Sequence, residues 1–320
     1  MLRQHIISSE TGKTILITGV SGDSIAGELA VQLSAANPRL LILSAREPER
    51  VAPIIERINS AAPPNVKTRF LKMDLSDMGS IRAAAAGLSL VSEIDHLICV
   101  AGIMVPPYGT TADGFERQFG VNYLANFLLT KLLLPKVRSG ATREPTTGPS
   151  PSIIIVASNA ARAGKVDFKD VGFSAGRTYD PLIAYAQSNA ARVMFAKALA
   201  AKLRGEGIRV FSIDPGAVRT GLQRHFTPEF QEMVAKLKTS GGMVDLDGKP
   251  IKLAEWTTKS EGAATIVTGM IDPTIQGDNG AYLHNNAVAN EELHSHILSE
   301  ENQERLWKLS EQMIQEPFIV

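Results

Sequence analysis

The 320-residue sequence has little cysteine, no excess of either charge and no long apolar run. A single cysteine, Cys99, excludes an internal disulfide and a zinc site built from several thiolates. Because Lys plus Arg and Asp plus Glu both number 33, no basic excess is available for nucleic acid or an anionic membrane surface. The richest apolar stretch, residues 127–134, is far shorter than the roughly 20 residues of a membrane span. The N-terminus also lacks the apolar core of a signal peptide, so we expect a soluble, cytoplasmic protein.

The histidines and carboxylates lack the spacing of a metal site. His294 and His296 are two residues apart in a predicted helix, which turns their side chains about 200° from each other. We therefore expect no bound metal. Cys99 lies at a predicted strand end and is expected to pack rather than react.

Short apolar runs alternate with helix-sized segments along the chain. Continuous runs of this length are typical of strands covered on both faces. The alternation predicts an α/β fold, a doubly wound parallel sheet (Rossmann fold) of seven strands with helices on both faces. The predicted strands are residues 14–18, 40–44, 68–72, 96–100, 152–157, 209–213 and 281–283, and the predicted helices include 27–37, 49–60, 76–88, 115–139 and 181–205.

The same alternation predicts one domain over residues 1–320. Residues 139–151, rich in Pro, Gly and Thr, could be a linker, but strands resume after them, which favours a surface loop. Residues 160–180 and 219–256 are long connections beside the carboxyl edge of the sheet, where such folds bind ligands. We predict that 219–256 form a substrate-binding lid and that 290–320 form a C-terminal helical extension.

The turn after the first strand, residues 18–30, is the predicted pyrophosphate site. Glycines there allow close backbone approach, and the following helix offers its positive N-terminus. A loose glycine turn is weak evidence alone, since many such turns contain glycine for steric reasons. Ser24 and Ala26 replace the middle and last glycines of the usual pattern, and Asp23 places a carboxylate near the expected pyrophosphate.

The ends of the second and third strands suggest which dinucleotide binds. A carboxylate after the second strand suits the ribose of NAD, whereas an arginine suits the 2′-phosphate of NADP. Arg46 stands there, although a solvated loop charge is the alternative. After the third strand, Asp74 fits a contact to the adenine edge, or a cap for the helix starting near Ser76.

Seven short motifs then occur in order between residues 14 and 289. They are Thr18-Gly19, Met73-Asp74-Leu75, Val100-Ala101-Gly102, Val121-Asn122-Tyr123-Leu124, Val156-Ala157-Ser158, Ala184-Tyr185-Ala186-Gln187-Ser188 and Asp214-Pro215-Gly216-Ala217-Val218-Arg219-Thr220. Together they resemble the short-chain dehydrogenase/reductase family, and within it the retinol-dehydrogenase-like group with many fungal members.

This resemblance implies hydride transfer between a nicotinamide and a carbonyl or alcohol. It implies that Tyr185 moves the hydroxyl proton, Ser158 holds the substrate oxygen and Asn122 orders a water relay. The family's lysine, which binds the nicotinamide ribose and lowers the tyrosine pKa, is replaced by Asn189. An amide can still hydrogen-bond ribose hydroxyls, but it supplies no charge to a phenol whose ordinary pKa is near 10.

The implied cofactor is NADP. Its predicted binding residues, taken from position in the fold and from the resemblance, are Gly19, Ser21, Ser24, Ile25, Arg46, Asp74, Leu75, Ala101, Gly102, Tyr185, Pro215, Gly216, Val218 and Thr220.

Arg192 is a candidate for the missing charge. Tyr185, Asn189 and Arg192 are spaced by four and three residues, so they share one helix face. The alternative, a surface or interface arginine, is the commoner role for this residue type and is favoured.

We therefore predict an NADP-dependent oxidoreductase acting on a fairly apolar small molecule, with secondary metabolism suggested by the fungal resemblance. Apolar residues in the lid, among them Phe226 and Phe230, favour that substrate class. The loss of the lysine at Asn189 leaves two alternatives: a non-redox isomerase, dehydratase or cyclase, and a catalytically silent member. Pairing through the helices at 115–139 and 181–205, which is frequent in the family, would give a homodimer or homotetramer.

Overall fold

The computed structural model of the chain describes residues 10–142, 149–239, 243–252, 255–275 and 277–320. Residues 1–9, for which the sequence predicts no signal peptide, lie outside this part. So do residues 143–148 of the predicted loop 139–151, and residues 240–242 and 253–254 of the predicted lid. Within the described ranges, no helix has both the length and the apolarity needed to cross a bilayer.

The strands of the described chain include all seven that the sequence predicts. In chain order they are β1 Thr14–Thr18, β2 Leu40–Ala45, β3 Lys67–Lys72, β4 His96–Cys99, β5 Ser152–Val156, β6 Arg209–Asp214, β7 Ala217–Val218, β8 Met243–Val244, β9 Pro250–Ile251, β10 Trp256–Thr257, β11 Tyr282–His284 and β12 Ala287–Val288. The main sheet has the order β12-β11-β6-β5-β4-β1-β2-β3. Neighbours in it are parallel except β11 and β12. The short antiparallel strand β12 was not predicted; it follows a turn at Asn285 and Asn286, both with positive φ, a conformation that asparagine tolerates in hairpins.

Helices cover both faces of the sheet, which confirms the doubly wound fold. They are α1 Ile25–Ser34, α2 Ala52–Ala61, α3 Met78–Gly87, α4 Ala125–Ala141, α5 Pro181–Lys202, α6 Pro228–Thr239, α7 Lys259–Ile271, α8 Ser295–Leu298 and α9 Glu300–Ile314. One apolar core lies between the sheet and α1, α2 and α7, and a second lies under α3, α4, α5 and α9. Because the strands are buried on both faces, their sequences are continuous apolar runs rather than alternating ones.

The helix predicted over residues 115–139 begins in a different form. Residues Phe119–Leu124 form a π-helical turn, in which the N–H of Ala125 donates to the carbonyl of Gly120, five residues back. The regular α-helix α4 starts only after this turn. Such bulges widen one turn of a helix and free backbone groups there.

Residues 219–256 and 290–320 lie outside the alternating core. The first range contains a 3₁₀ helix at Gly221–His225, helix α6 and the antiparallel pair β8–β9. The second contains α8 and α9, and its Trp307 and Phe318 are each 4% exposed. Their rings pack on Phe127 of α4, at centroid distances of 5.1 and 5.2 Å. The C-terminal helices therefore cover part of the α4 and α5 surface, while the predicted pairing through those helices stays a prediction.

Candidate functional site

The glycine turn is pressed against the end of β4. Gly19 has a φ of +77°, and a Cβ atom there would lie 2.8 Å from the Cα of Ala101. The Oγ1 of Thr18 accepts hydrogen bonds from the backbone N–H groups of Val100 (3.0 Å) and Ala101 (3.1 Å). Only glycine fits at position 19, because both the backbone angle and the space exclude a side chain.

Ser24 closes this turn and caps α1. Its Oγ accepts from the N–H of Ser21 (3.0 Å) and of Gly27 (2.9 Å), and donates to the carbonyl of Ser21 (2.9 Å). A Cβ at Gly27 would lie 2.2 Å from that same carbonyl oxygen. Gly27 therefore makes the close approach that the usual pattern gives to its last glycine, one residue after Ala26.

The carboxylate of Asp23 forms an ion pair with a lysine outside the glycine turn. It pairs with Nζ of Lys259, at the start of α7, at 2.5 Å. The carbonyl of Asp23 accepts from the N–H of Gly221 at 3.3 Å. The carboxylate that seemed unfavourable for a pyrophosphate is thus neutralised, and the same residue joins the turn to the lid.

A cleft of about 570 Å³ lies at the carboxyl edge of the sheet, above the glycine turn. The predicted cofactor residues that line it are Gly19, Ser21, Ser24, Ile25, Arg46, Asp74, Leu75, Ala101, Gly102 and Thr220. Pro215 and Gly216 instead line a separate cavity of about 690 Å³ beside Thr257 and His284. Val218 and Tyr185 are themselves buried, 4% and 7% exposed.

Asp74 does not cap α3. Its Oδ1 accepts from the N–H (2.9 Å) and the hydroxyl (2.7 Å) of Ser76. The cap is Asp77, which accepts from the N–H groups of Gly79 (2.8 Å) and Ser80 (3.2 Å). The alternative cap role for Asp74 is therefore wrong, because the helix starts two residues later than Ser76, and Asp74 is left on the wall of the cleft.

The side chains of Tyr185 and Ser158 meet where the first turns of α5 lie beside the carboxyl end of β5. Helix α5 is capped by Asp180, which accepts from two N–H groups and fixes where Tyr185 projects. Burial raises the pKa of the Tyr185 phenol, while a hydrogen bond with Ser158 and the charge of Arg192 lower it; the net direction is upward. The phenol is therefore protonated at neutral pH, ready to act as an acid.

The side chain of Asn122 ties the loop after β4 to α5. Its Oδ1 accepts from the N–H of Ile103 (2.8 Å), and its Nδ2 donates to the Ile103 carbonyl (3.0 Å) and to Ser188 Oγ (2.9 Å). The backbone carbonyl of Asn122, in the π-helical turn, accepts from Asn126 Nδ2 (2.6 Å) and from the guanidinium of Arg192. The amide of Asn122 therefore positions the backbone, and its predicted part in a water relay stays a prediction.

Asn189 is fully buried one turn after the tyrosine. Its Nδ2 donates to the carbonyl of Tyr185 at 2.9 Å, within the helix. Its Oδ1 has no hydrogen-bond partner in the described part of the chain. Oδ1 is thus left to accept from a hydroxyl donor, while a hydrogen bond from the Asn189 side chain also lowers the pKa of the Tyr185 phenol.

Arg192 lies inside the site. It is 4% exposed, and its guanidinium donates to the carbonyls of Asn122 and Ala101. A Cβ at Gly102, on the cleft wall, would be 3.3 Å from its Nη1. Burial lowers its pKa to about 10, so it stays charged at neutral pH. The favoured alternative, a surface or interface arginine, is wrong, because the shared helix face points at the cleft.

Residues 13–230 match the family model of the short chain dehydrogenases. The chain belongs to this family. It is 38% identical to mouse retinol dehydrogenase 13 over 216 residues, which are 67% of this chain and 61% of that protein. It is 32% identical to mouse retinol dehydrogenase 14 over 321 residues, covering 95% of this chain and 86% of that protein. The chain therefore spans less than two thirds of the first relative's length, and the likeness to retinol dehydrogenases is confirmed, while the fungal subgroup stays a prediction.

Solved structures agree with the short-chain dehydrogenase fold. The NADPH-bound carbonyl reductase from chicken fatty liver has a TM-score of 0.60 and 21% identity, covering 87% of this chain and 99% of that one. At this identity the similarity concerns the fold alone.

Other reactive groups of this short-chain dehydrogenase serve packing. Cys99 is fully buried, and burial raises the pKa of its thiol to about 12, which leaves no thiolate to react. His294 Nε2 lies 2.9 Å from the carbonyl of Gly164, and His296 accepts from the N–H of Val166 at 3.1 Å. Within the described residues, no three His, Cys, Asp or Glu side chains form a metal-binding group.

Proposed function

We propose that this short-chain dehydrogenase is an NADP-dependent oxidoreductase that transfers hydride between a nicotinamide and a carbonyl or alcohol of a fairly apolar small molecule. The observation that carries the proposal is a buried, protonated phenol, Tyr185, held with Ser158 and a fixed cation, Arg192, beside a cleft built on a glycine turn. The names of its relatives, retinol dehydrogenases among them, support the same reaction class.

The residues of the cleft fit a nicotinamide dinucleotide. The turn at Gly19 brings backbone to the cleft floor, and the N-terminus of α1 directs its partial positive charge there. Arg46, exposed on the cleft wall, suits the 2′-phosphate of NADP. When bound, the nicotinamide supplies the hydride, and the protein supplies position and charge.

The catalytic side chains divide the remaining chemistry. The Ser158 hydroxyl holds the substrate oxygen next to the phenol, and Tyr185 gives that oxygen a proton as the carbonyl is reduced. Because burial keeps the phenol protonated at neutral pH, Tyr185 is in the form that carbonyl reduction requires. Arg192 stands in for the missing lysine as a fixed charge that moderates the cost of forming phenolate.

The lid supports an apolar substrate. Phe226 and Phe230 lie with ring centroids 4.6 Å apart, and Met233 and Trp256 are 37% and 44% exposed. Apolar side chains exposed on a segment beside the cleft can cover an apolar ligand without burying unpaired charge. A place in secondary metabolism and a cytoplasmic location remain predictions.

A non-redox reaction is the second candidate, favoured by one observation. At Asn189 the described site has an unpaired carbonyl oxygen where the family has a lysine ammonium. An isomerase, dehydratase or cyclase needs only the acid Tyr185 and the oxygen-binding Ser158.

The test is NADPH consumption by the purified protein with a panel of apolar aldehydes and ketones, including retinal. We expect turnover with NADPH, and a loss of about 10²-fold or more in kcat for Tyr185→Phe with NADPH binding retained. Tyr108→Phe, at a tyrosine that is 37% exposed, is the matched control. Absence of NADPH binding, or NADPH binding without consumption for every carbonyl, would overturn the redox assignment.

A further inference from the structure

Three arginines from two separate segments line one end of the cleft. Arg46 and Arg50 follow β2, and Arg224 belongs to the 3₁₀ helix of the lid. In the described part of the chain, the arginines that pair with carboxylates are Arg39, Arg57, Arg82, Arg138 and Arg162. Arg46, Arg50 and Arg224 are not among them. Burial lowers the pKa of Arg224, and the charges of Arg46 and Arg50 lower it further, so the three guanidinium groups act on one another.

Like charges that no carboxylate pairs with repel one another, and an anion bound among them removes that repulsion. A phosphate monoester carries about −1.5 to −2 charges at neutral pH and three acceptor oxygens. Several guanidinium forks can bind those oxygens at once, each with paired N–H donors. The chemistry of the cluster thus matches a phosphate monoester better than a carboxylate or the diester-like pyrophosphate.

The segment that carries Arg224 is fixed to the dinucleotide side of the cleft. Thr220 caps its 3₁₀ helix, because the Thr220 Oγ1 accepts from the N–H of Leu222 at 3.2 Å. The N–H of Thr220 in turn donates to Oε1 of Gln223 at 2.8 Å. Gly221 donates to the carbonyl of Asp23 in the glycine turn at 3.3 Å. The Arg224 guanidinium itself donates to the Gly221 carbonyl at 3.0 Å.

These contacts connect the 3₁₀ helix of the lid to the glycine turn, and Arg224 lies in that connected helix. We propose that Arg224 completes a phosphate-monoester site with Arg46 and Arg50, so that the lid itself recognises the 2′-phosphate of NADP. The inference rests on the proposed function, since it assigns the cofactor of the same cleft. It adds that the segment covering the substrate is held in place by the cofactor's phosphate.

Two consequences distinguish this arrangement from recognition by Arg46 alone. Loss of Arg224 should weaken NADPH and leave NADH nearly unchanged. It should also raise the KM of the carbonyl substrate with NADPH, because the lid loses its contact with the bound phosphate.

The experiment titrates the wild-type protein, Arg224→Gln, Arg46→Gln and Arg219→Gln with NADPH, NADH, 2′-AMP and 5′-AMP by calorimetry. Arg219 is the matched control: it lies in the same lid, but its guanidinium stacks on the Trp256 ring at 4.6 Å. We expect Arg224→Gln and Arg46→Gln each to weaken NADPH and 2′-AMP by about tenfold or more, the effect of one charge-assisted hydrogen bond. NADH and 5′-AMP should change less than threefold or so, and Arg219→Gln should keep the wild-type preference.

An unchanged ratio of NADPH to NADH affinity in Arg224→Gln would overturn the inference. An equal loss for both dinucleotides would also overturn it, because it would assign Arg224 to lid folding. Failure of the proposed function gives a different result. A wild-type protein that binds neither dinucleotide but prefers 2′-AMP over 5′-AMP through Arg224 would keep the phosphate site while ending the oxidoreductase assignment.

Discussion

Replacing Arg192 by methionine tests whether its cation, one helical turn after Asn189, can act in place of the lysine that the sequence resemblance implies. Arg192→Met removes the one cation of the described residues whose charge lowers the pKa of the Tyr185 phenol. The charge is 4% exposed, so solvent screens it little. A buried positive charge near a phenol favours its ionised form, so removing the Arg192 charge should raise the pKa of Tyr185. The Ser158 hydrogen bond lowers the phenol's pKa more than Arg192 does, so the phenolate keeps its larger stabilising contact in the variant.

The assay is the pH dependence of kcat/KM for alcohol oxidation, which needs the phenolate and rises with pH as Tyr185 ionises. In Arg192→Met the phenol's pKa is higher, so the rise should move to higher pH. NADPH affinity should remain within a few-fold, since Arg192 donates to protein carbonyls rather than into the dinucleotide cleft.

Arg209→Met is the matched control, because both arginines are buried and donate to backbone carbonyls, while Arg209 is not among the charges that act on Tyr185. Arg209 is 6% exposed, donates to the backbone carbonyls of Ser150 and Met270, and has a pKa that burial also lowers to about 10. Both variants should lose about 1–3 kcal/mol of stability through unpaired carbonyls. A pH profile unmoved in Arg192→Met, or moved equally in Arg209→Met, would refute the electrostatic role.

Two further predictions concern stability and are measured by urea unfolding. Phe318→Ala should cost about 3–5 kcal/mol, because the ring is 4% exposed among aromatic side chains, whereas Ile319→Ala, at 84% exposure, should change stability by less than about 0.5 kcal/mol. Equal effects would show that the C-terminal segment does not hold the core. Ala175→Gly should stabilise the protein by about 0.5–1 kcal/mol, because Ala175 has a φ of +56°, which costs an L-residue about 1 kcal/mol or more. A lower unfolding midpoint would contradict this.

The sheet could be predicted well from the sequence because buried parallel strands have short, continuous apolar sequences. The sequence located the glycine turn and placed Tyr185, Asn189 and Arg192 on one helix face, which follows from helical periodicity alone. It could not say where that face points, since direction depends on how α5 packs against β5, β6 and the π-helical turn. For that reason the spacing suggested the buried position of Arg192, but the favoured alternative put it on the surface.

Other differences have similarly non-local causes. Gly27 replaces the expected last glycine because the contact that demands it, the carbonyl of Ser21, exists only once the turn has closed. Lys259 neutralises Asp23 from a helix more than two hundred residues later in the sequence. The strand β12 is two residues long, too short for a pattern to identify.

The π-helical turn Phe119–Leu124 has a consequence for how this region tolerates insertion and deletion. One extra residue in a turn sets the residues before and after it about 100° out of phase with a continuous α-helix. Within the π-helical turn, Asn122 faces the cleft and its side chain binds the backbone of Ile103. After the turn, Phe127 faces the core and its ring packs on Trp307. Deleting any residue between these two would restore regular helical geometry and rotate one set of contacts away from its partners. We therefore expect that deleting one residue from this segment disrupts either the Asn122 contact or the Phe127 contact.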